Sequence, residues 1–491
     1  MVSGAGTHAD RGVRLDIPYL PDPVPTSAAL QDELGVDTGE LPGGDPLWSP
    51  RLGINYDLQG EGRTFLRGGV GLFSGHPPYT WVGSAYHDSG RELLVTCLGA
   101  QVPAFDPVNQ PAACADGGGA FPLLSFFEPG ARFPRAIKAS LGVDQRLPGG
   151  AVGTLDLLYT RAVDQLYLSD ANLGPPTGAA AGEGGRPLYG ILNPAGPPTT
   201  TARLSPAFRT VVQVSNRRGD AALSLSGQIR KRFGRGLEGG ALYTHTRARD
   251  RMSFIVLETR GNLDFNPLDG TLEGRRLRPS VFEIPHRVHV YALIPLPLRA
   301  VLSVAYAGAS GAPFTYVVDG DANADGLGSL QPNDVVYVPE SAVPGGDIML
   351  VQPDTQGRLG PASASAYARL DDFIRADPCL RAHRGRLLSR NACRNPWFGS
   401  INARLSKSVP TRAGQSLELS LDLYNVANLF SSKWGQYRVT FGNNPTVPML
   451  RLSGYDTSRG RGIYQLRLPA RNEIQDLESR WQAEISARYV F

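Results

Sequence analysis

The sequence predicts an all-β fold, an antiparallel transmembrane β-barrel, and three observations carry that expectation. Segments of about ten residues alternate apolar and polar side chains with period two, bounded by turn residues. The connections between them switch between very short and very long. Gly (58) and Pro (40) are abundant and only 19% of the 491 residues are charged, as a turn-rich β-protein requires. A transmembrane helix needs about 18 consecutive apolar residues. The most apolar stretch, 288–298, is shorter and is interrupted by His289, Pro295 and Pro297.

The alternation is clearest at the C-terminal end, in WQAEISARYVF (481–491). One face carries Trp481, Ala483, Ile485, Ala487, Tyr489 and Phe491; the other carries Gln482, Glu484, Ser486, Arg488 and Val490. A strand of this length can span a bilayer when tilted, and aromatics at both ends of the apolar face suit the two interfacial girdles. Leu417, Leu419, Leu421 and Leu423 alternate in the same way with Glu418, Ser420, Asp422 and Tyr424. So do Leu223, Leu225, Gly227 and Ile229 with Ser224, Ser226, Gln228 and Arg230, and Ile401, Ala403 and Leu405 with Asn402, Arg404 and Ser406. An Arg facing lipid at mid-bilayer would cost roughly 2–4 kcal/mol, so the polar faces must look into a wet or plugged lumen.

Short connections fall at 58–63, 145–150, 233–236, 295–299 and 410–415, and long ones near 74–134, 161–218, 249–283, 311–395 and 430–478. Tight turns at one end and long loops at the other is the outer-membrane arrangement, with the long loops outside the cell. Between them lie about eleven spanning strands, at 51–57, 64–73, 135–144, 151–160, 219–232, 237–247, 285–294, 300–310, 396–409, 416–429 and 480–491. Residues 1–50 are expected to be an extracellular loop segment and 51–491 the barrel. Eleven is odd, whereas bacterial single-chain barrels have an even count. Strands are therefore expected to be missing on the N-terminal side. Residues 1–16 have neither the basic nor the apolar region of a signal peptide, which an exported protein needs.

The net charge of +4 is small, and the basic residues, nearly all Arg, are scattered and matched by acids, so a nucleic-acid surface is not expected. The cysteines form two local pairs, Cys97 with Cys114 and Cys379 with Cys393, with no metal-site spacing. Inside long polar loops they suggest disulfides of an oxidising compartment, each able to contribute roughly 3 kcal/mol, although four unrelated thiols would give the same count.

Several segments resemble the β-barrel of TonB-dependent outer-membrane receptors, in particular the Oar-like branch: WSPRLGINYD (48–57), RTFLRGGVGLFSG (63–75), 216–250, LYNVANLFSSKWG (423–435) and 479–491. Together they run from about residue 48 to the end. The resemblance implies residence in the outer membrane of a Gram-negative type bacterium, with uptake of an extracellular ligand. It also implies a barrel of twenty-two strands, of which eleven would be the C-terminal half. Family members carry a signal peptide, a TonB box and a plug domain before the barrel, and none is visible here. On this reading TonB could act only through the missing plug. Trp481, Tyr489 and Phe491 resemble the signal read by the barrel-assembly machinery.

One local cluster has a cofactor chemistry of its own. Asp319, Asp321, Asn323 and Asp325 precede Gly326, with Asp334 further on. Oxygen donors at alternate positions followed by a Gly for the tight turn can wrap Ca²⁺. Pro332 stands where a Glu would complete such a loop, so Asp319 or Asp334 would have to supply that oxygen. A solvated acidic turn fits the same residues. Loop aromatics, Trp81, Phe430 and Trp434 among them, suit either stacking on a ligand or packing within the loops.

No catalytic residue is nominated. The His residues are dispersed, no Gly-x-Ser-x-Gly elbow occurs, and Gly182–Gly185 lacks a following phosphate-loop Lys. A passive pore or adhesin is the main alternative, and a non-functional truncated receptor is another. A soluble carbohydrate-binding β-protein would need an apolar interior, against which Arg230, Arg404 and Glu418 count.

Overall fold

The computed structural model describes residues 7–491 except 21, 96–100, 110, 112, 116–119, 197, 329–330, 413 and 441–444. Twelve long strands form one antiparallel path in chain order: β1 (Thr7–Asp16), β2 (Leu47–Asp57), β3 (Thr64–Ser74), β4 (Arg135–Arg146), β5 (Ala151–Asp170), β6 (Ala221–Arg232), β7 (Glu238–Asp250), β8 (His286–Leu296), β9 (Ala300–Ala309), β10 (Phe398–Pro410), β11 (Ser416–Tyr424) and β12 (Gln482–Val490). At one end the chain turns tightly. Between β6 and β7, Arg235 (φ 61) and Gly236 (φ 80) are left-handed, and between β8 and β9 so are Leu298 (φ 62) and Arg299 (φ 57). Successive positive φ values give turns whose twist matches the strands they join.

Register sorts every strand into two faces. Leu225 pairs with Leu157 and Gly227 with Leu155, while Leu141 pairs with Leu157, so one apolar face crosses β4, β5 and β6. Farther along, Leu405 pairs with Leu421 and Leu421 with Ile485. This face is open to the surroundings, with Ile485 84% and Leu52 56% exposed. The opposite face pairs polar groups across strands. Arg67 reaches Asp144 (2.8 Å) and Asp156 (2.7 Å), Ser226 meets Thr244 (2.9 Å), and Ser420 meets Ser486 (2.6 Å). The all-β class and the polar and apolar faces expected from alternation are those of the structure.

Three departures from expectation have local causes. Residues 1–50 are not all loop, because β1 pairs with β2 from Thr7↔Tyr56 to Asp16↔Leu47. Its apolar side is broken by Arg11, which conceals the period, and the main path of the sheet therefore has twelve strands rather than about eleven. Strand β5 runs to Asp170, ten residues past its expected end, because its upper half pairs with Val212–Arg217. Strand β11 stops at Tyr424, where Asn425 turns left-handed (φ 50) into the short helix Val426–Phe430.

The long connections fold together. Pro313–Asp319 lies parallel to Thr446–Asp456, and Met349–Pro353 parallel to Arg461–Leu466, in a second, six-stranded sheet. A helix, Ala364–Ala376, buries Tyr367, Leu370 and Ile374 in the core beneath it, beside Tyr316, Leu388 and Val447. A second core gathers Trp81, Phe127, Leu168, Val214 and Leu263 around the upper part of β5. The loops thus make a cap with its own interior.

Candidate functional site

The cap is stitched by ion pairs in which at least one partner is buried. Arg390, 2% exposed, donates to the Asp250 carboxylate (2.6 Å) and to Ser253 Oγ (3.2 Å), tying the 311–395 connection to the top of β7. Arg394 pairs with Glu283 at 2.8 Å, and Arg203 with Asp170. Glu183 holds Arg186 at 2.8 Å and accepts from Gly462 N (2.6 Å) and from the Tyr464 hydroxyl, joining the 161–218 and 430–478 connections. Breaking such a pair by removing one partner strands the other charge in a low-dielectric interior.

At the centre lies the acidic loop. Gly326 N donates to Asp321 Oδ2 (2.8 Å), Asp325 N to Asn323 Oδ1 (2.9 Å) and Leu327 N to Asp325 Oδ1 (2.8 Å). Gly326 (φ 82) makes the turn possible. Asp334 Oδ2 accepts from Ala322 N (2.6 Å) and Asn323 N (3.3 Å), so its carboxylate lies against the same loop. Asp319 points elsewhere and pairs with Arg467 at 2.5 Å. Burial, with Asp334 nearby, pushes the Asp325 carboxyl up to about 7. Burial also raises Asp321 well above the carboxylate range, and Asp334 is raised by burial despite Arg186. Among the described residues no three acidic, histidine or cysteine side chains converge as a ready-made metal cage.

The remaining sequence candidates are dispersed. Cys379 and Cys393 are joined (S–S 2.01 Å), closing the end of the cap helix onto Pro313–Asp319 through Cys393–Arg394. Cys114 is buried and disulfide-bonded, while Cys97 lies outside the described residues. Trp81, expected as a ligand contact, is 1% exposed: it stands edge-on to Phe254 and donates Nε1–H to Leu257 O at 2.8 Å. It is a core residue of the cap, because an indole is large enough to anchor a loop interior and its N–H finds a carbonyl there. Phe430 (77%) and Trp434 (58%) are exposed beside the loop end of β11. Trp481, Tyr489 and Phe491 line the open apolar face of the sheet's last strand and its ends. Sequence reading missed Glu183, Arg186 and Arg390, since nothing local marks an ion pair whose partners are joined only by folding.

A sheet with one apolar face open and one polar face internally paired, tight turns at one end and a loop cap at the other, is the wall of a transmembrane β-barrel. The chain belongs to the outer membrane beta barrel domain family, whose model matches residues 31–446. That family places it in the outer membrane. No curated protein matches the chain. Similar solved structures include the outer membrane transporter YddB from Escherichia coli, at 11% identity and TM-score 0.44, covering 91% of this chain and 41% of that one. Another is the ferric enterobactin receptor from Pseudomonas aeruginosa, at 10% identity and TM-score 0.42, covering 92% and 41%. The siderophore receptor PirA from Acinetobacter baumannii gives 10% identity and TM-score 0.38, covering 80% and 38%. The chain thus spans about two fifths of the length of these structures.

Proposed function

We propose that the chain forms wall and cap of a TonB-dependent receptor of the Oar-like branch, binding a ligand outside the cell and admitting it through the outer membrane. The observation that supports this most is the cap: the long connections at one end share a sheet, apolar cores and buried ion pairs, while the other end has only turns among the described residues. A rigid scaffold that presents loops at one mouth suits recognition better than free diffusion. The exposed rings of Phe430 and Trp434 are among the aromatic contacts it offers there. Energised import also needs a plug within the lumen to couple to TonB, a role these twelve strands do not fill. In the bilayer the outer edges of β1 and β12 must find partners, because unpaired backbone groups are costly in lipid. The exposed Trp481, Tyr489 and Phe491 suit recognition by the barrel-assembly machinery.

The test is uptake by the native host of a labelled panel of ferric siderophores, vitamins, glycans and peptides. One compound should lose entry when the gene is deleted, and lose it equally when TonB is deleted. Entry that needs this gene but not TonB would make the protein a passive pore. No gene-dependent entry across the panel would leave an adhesin or a non-functional fragment.

A further inference from the structure

Asn333 carries a signal that the barrel does not explain. It is 0% exposed, yet neither its Oδ1 nor its Nδ2 has a hydrogen-bond partner. A buried amide normally finds partners, and one that does not calls for an explanation such as a bound ion. Its oxygen is aimed at the acidic loop: a methyl placed on Gly328 would lie 2.9 Å from Asn333 Oδ1, 3.5 Å from Gly320 O and 3.6 Å from Asp321 Cα. Two carboxylate oxygens of the neighbouring acids also lack hydrogen bonds, Asp321 Oδ1 and Asp334 Oδ1. The cation nearest Asp334 Oδ1 is Arg186 Nη1, at 3.8 Å, and Arg186 is already engaged by Glu183 and the Val335 carbonyl.

We propose that Asp321, Asp325, Asn333 and Asp334 bind one calcium ion at the centre of the cap. The donor set is all oxygen, carboxylate and amide, which selects a hard cation and argues against zinc or copper. Asp325, Asn333 and Asp334 are 0–1% exposed, which leaves little room for the waters that Mg²⁺ retains. Asp321, Asn323, Asp325 and Gly326 stand in the one-three-five-six order of a calcium loop, and Asp334 supplies from outside it the carboxylate that Pro332 cannot. The carboxylates do not surround a point in this arrangement, so binding requires the free oxygens of Asp321 and Asp334 to turn toward Asn333 Oδ1.

The ion would act on the whole cap, because other connections hang on this loop. Tyr189 N donates to Asn323 O (2.8 Å), Arg203 to Asp325 O (3.0 Å), Leu268 N to Asn333 O (2.8 Å), and the Tyr455 hydroxyl to Ala322 O. Calcium here would couple the order of four extracellular connections. The proposal holds whichever ligand the barrel admits.

The test uses the full chain in detergent, with Tb³⁺ as probe, its emission excited through tyrosine and competed by Ca²⁺. One site is expected, of the affinity usual for extracellular calcium modules, roughly 10⁻⁴–10⁻³ M. Asp321→Asn and Asn333→Ala should each weaken it about tenfold or more, while Asp371→Asn, elsewhere in the same connection, should not. Limited proteolysis, with cuts confined to the cap, provides a second readout. Calcium should slow cap cleavage in the parent and not in Asp321→Asn, so a variant that merely misfolds is recognised by fast cleavage that calcium and Tb³⁺ both leave unchanged alongside loss of the barrel's heat-resistant gel mobility. Should Asn333→Ala and Asp321→Asn bind Tb³⁺ like the parent, or Mg²⁺ compete as well as Ca²⁺, the proposal is overturned.

Discussion

Wall and cap bury opposite things. In the wall, Leu225, Leu419 and Ile485 stand open on one face while Arg67, Asp144 and Asp156 pair on the other. In the cap, Leu263, Leu380 and Leu388 are 0% exposed and Arg358, Asp354 and Arg375 stand outside. The same residue types have exchanged places within one chain because the solvent differs. Lipid accepts leucine and rejects unpaired backbone groups, whereas water drives leucine inward. The cap is thus an ordinary water-soluble fold resting on a membrane wall, and substitutions should separate the two.

The largest expected effect lies where cap meets wall. Arg390→Ala leaves Asp250 buried without its guanidinium and should destabilise the cap by roughly 3–5 kcal/mol. Proteases would then cut 311–395 in membranes while the wall keeps its heat-resistant gel mobility; loss of both together would show that wall and cap are one unit. Next, Cys393→Ser opens a loop of 14 residues' separation, which should cost about 3 kcal/mol. The midpoint of cap proteolysis in urea should fall, and reductant should lower the parent's midpoint by more than the variant's, which retains only the disulfide of Cys114.

Within the wall, Leu225→Arg should cost roughly 2–4 kcal/mol in lipid, whereas Ser226→Arg, one residue along on the polar face, should cost far less. Urea unfolding in liposomes reads the difference, and equal costs would dissolve the distinction between faces. The smallest effect is expected at Ser420, whose hydroxyl meets Ser486 at 2.6 Å and accepts from Arg404 at 3.2 Å. Ser420→Ala should cost about 1 kcal/mol in the same assay, the net worth of one such bond.

The wall was readable because its strands pair in chain order. Each strand meets its neighbour across a turn or loop, and a period of two records directly which side faces lipid. Strand β1 escaped because Arg11 stands among Ala9, Val13 and Leu15 and breaks the apolar side. The cap was unreadable for the opposite reason: Pro313–Asp319 pairs with residues more than a hundred positions away, and no local pattern marks that. The acidic loop lies between these cases. Its spacing was visible, but the placement of Asn333 against it, and the removal of Asp319 to Arg467, came only from the fold. Trp81 shows the limit for aromatics, since sequence cannot distinguish a ring that anchors a loop from one that meets a ligand.

The inversion itself is tested most directly on β12. Single cysteines placed from Gln482 to Val490, in a background lacking the natural four, would be exposed in outer membranes to a water-soluble maleimide. Labelling should alternate, with Gln482, Glu484, Ser486 and Arg488 reacting and Ala483, Ile485 and Ala487 protected. Uniform labelling, or the reverse alternation, would contradict the assignment of the leucine-bearing face to lipid and with it the membrane wall.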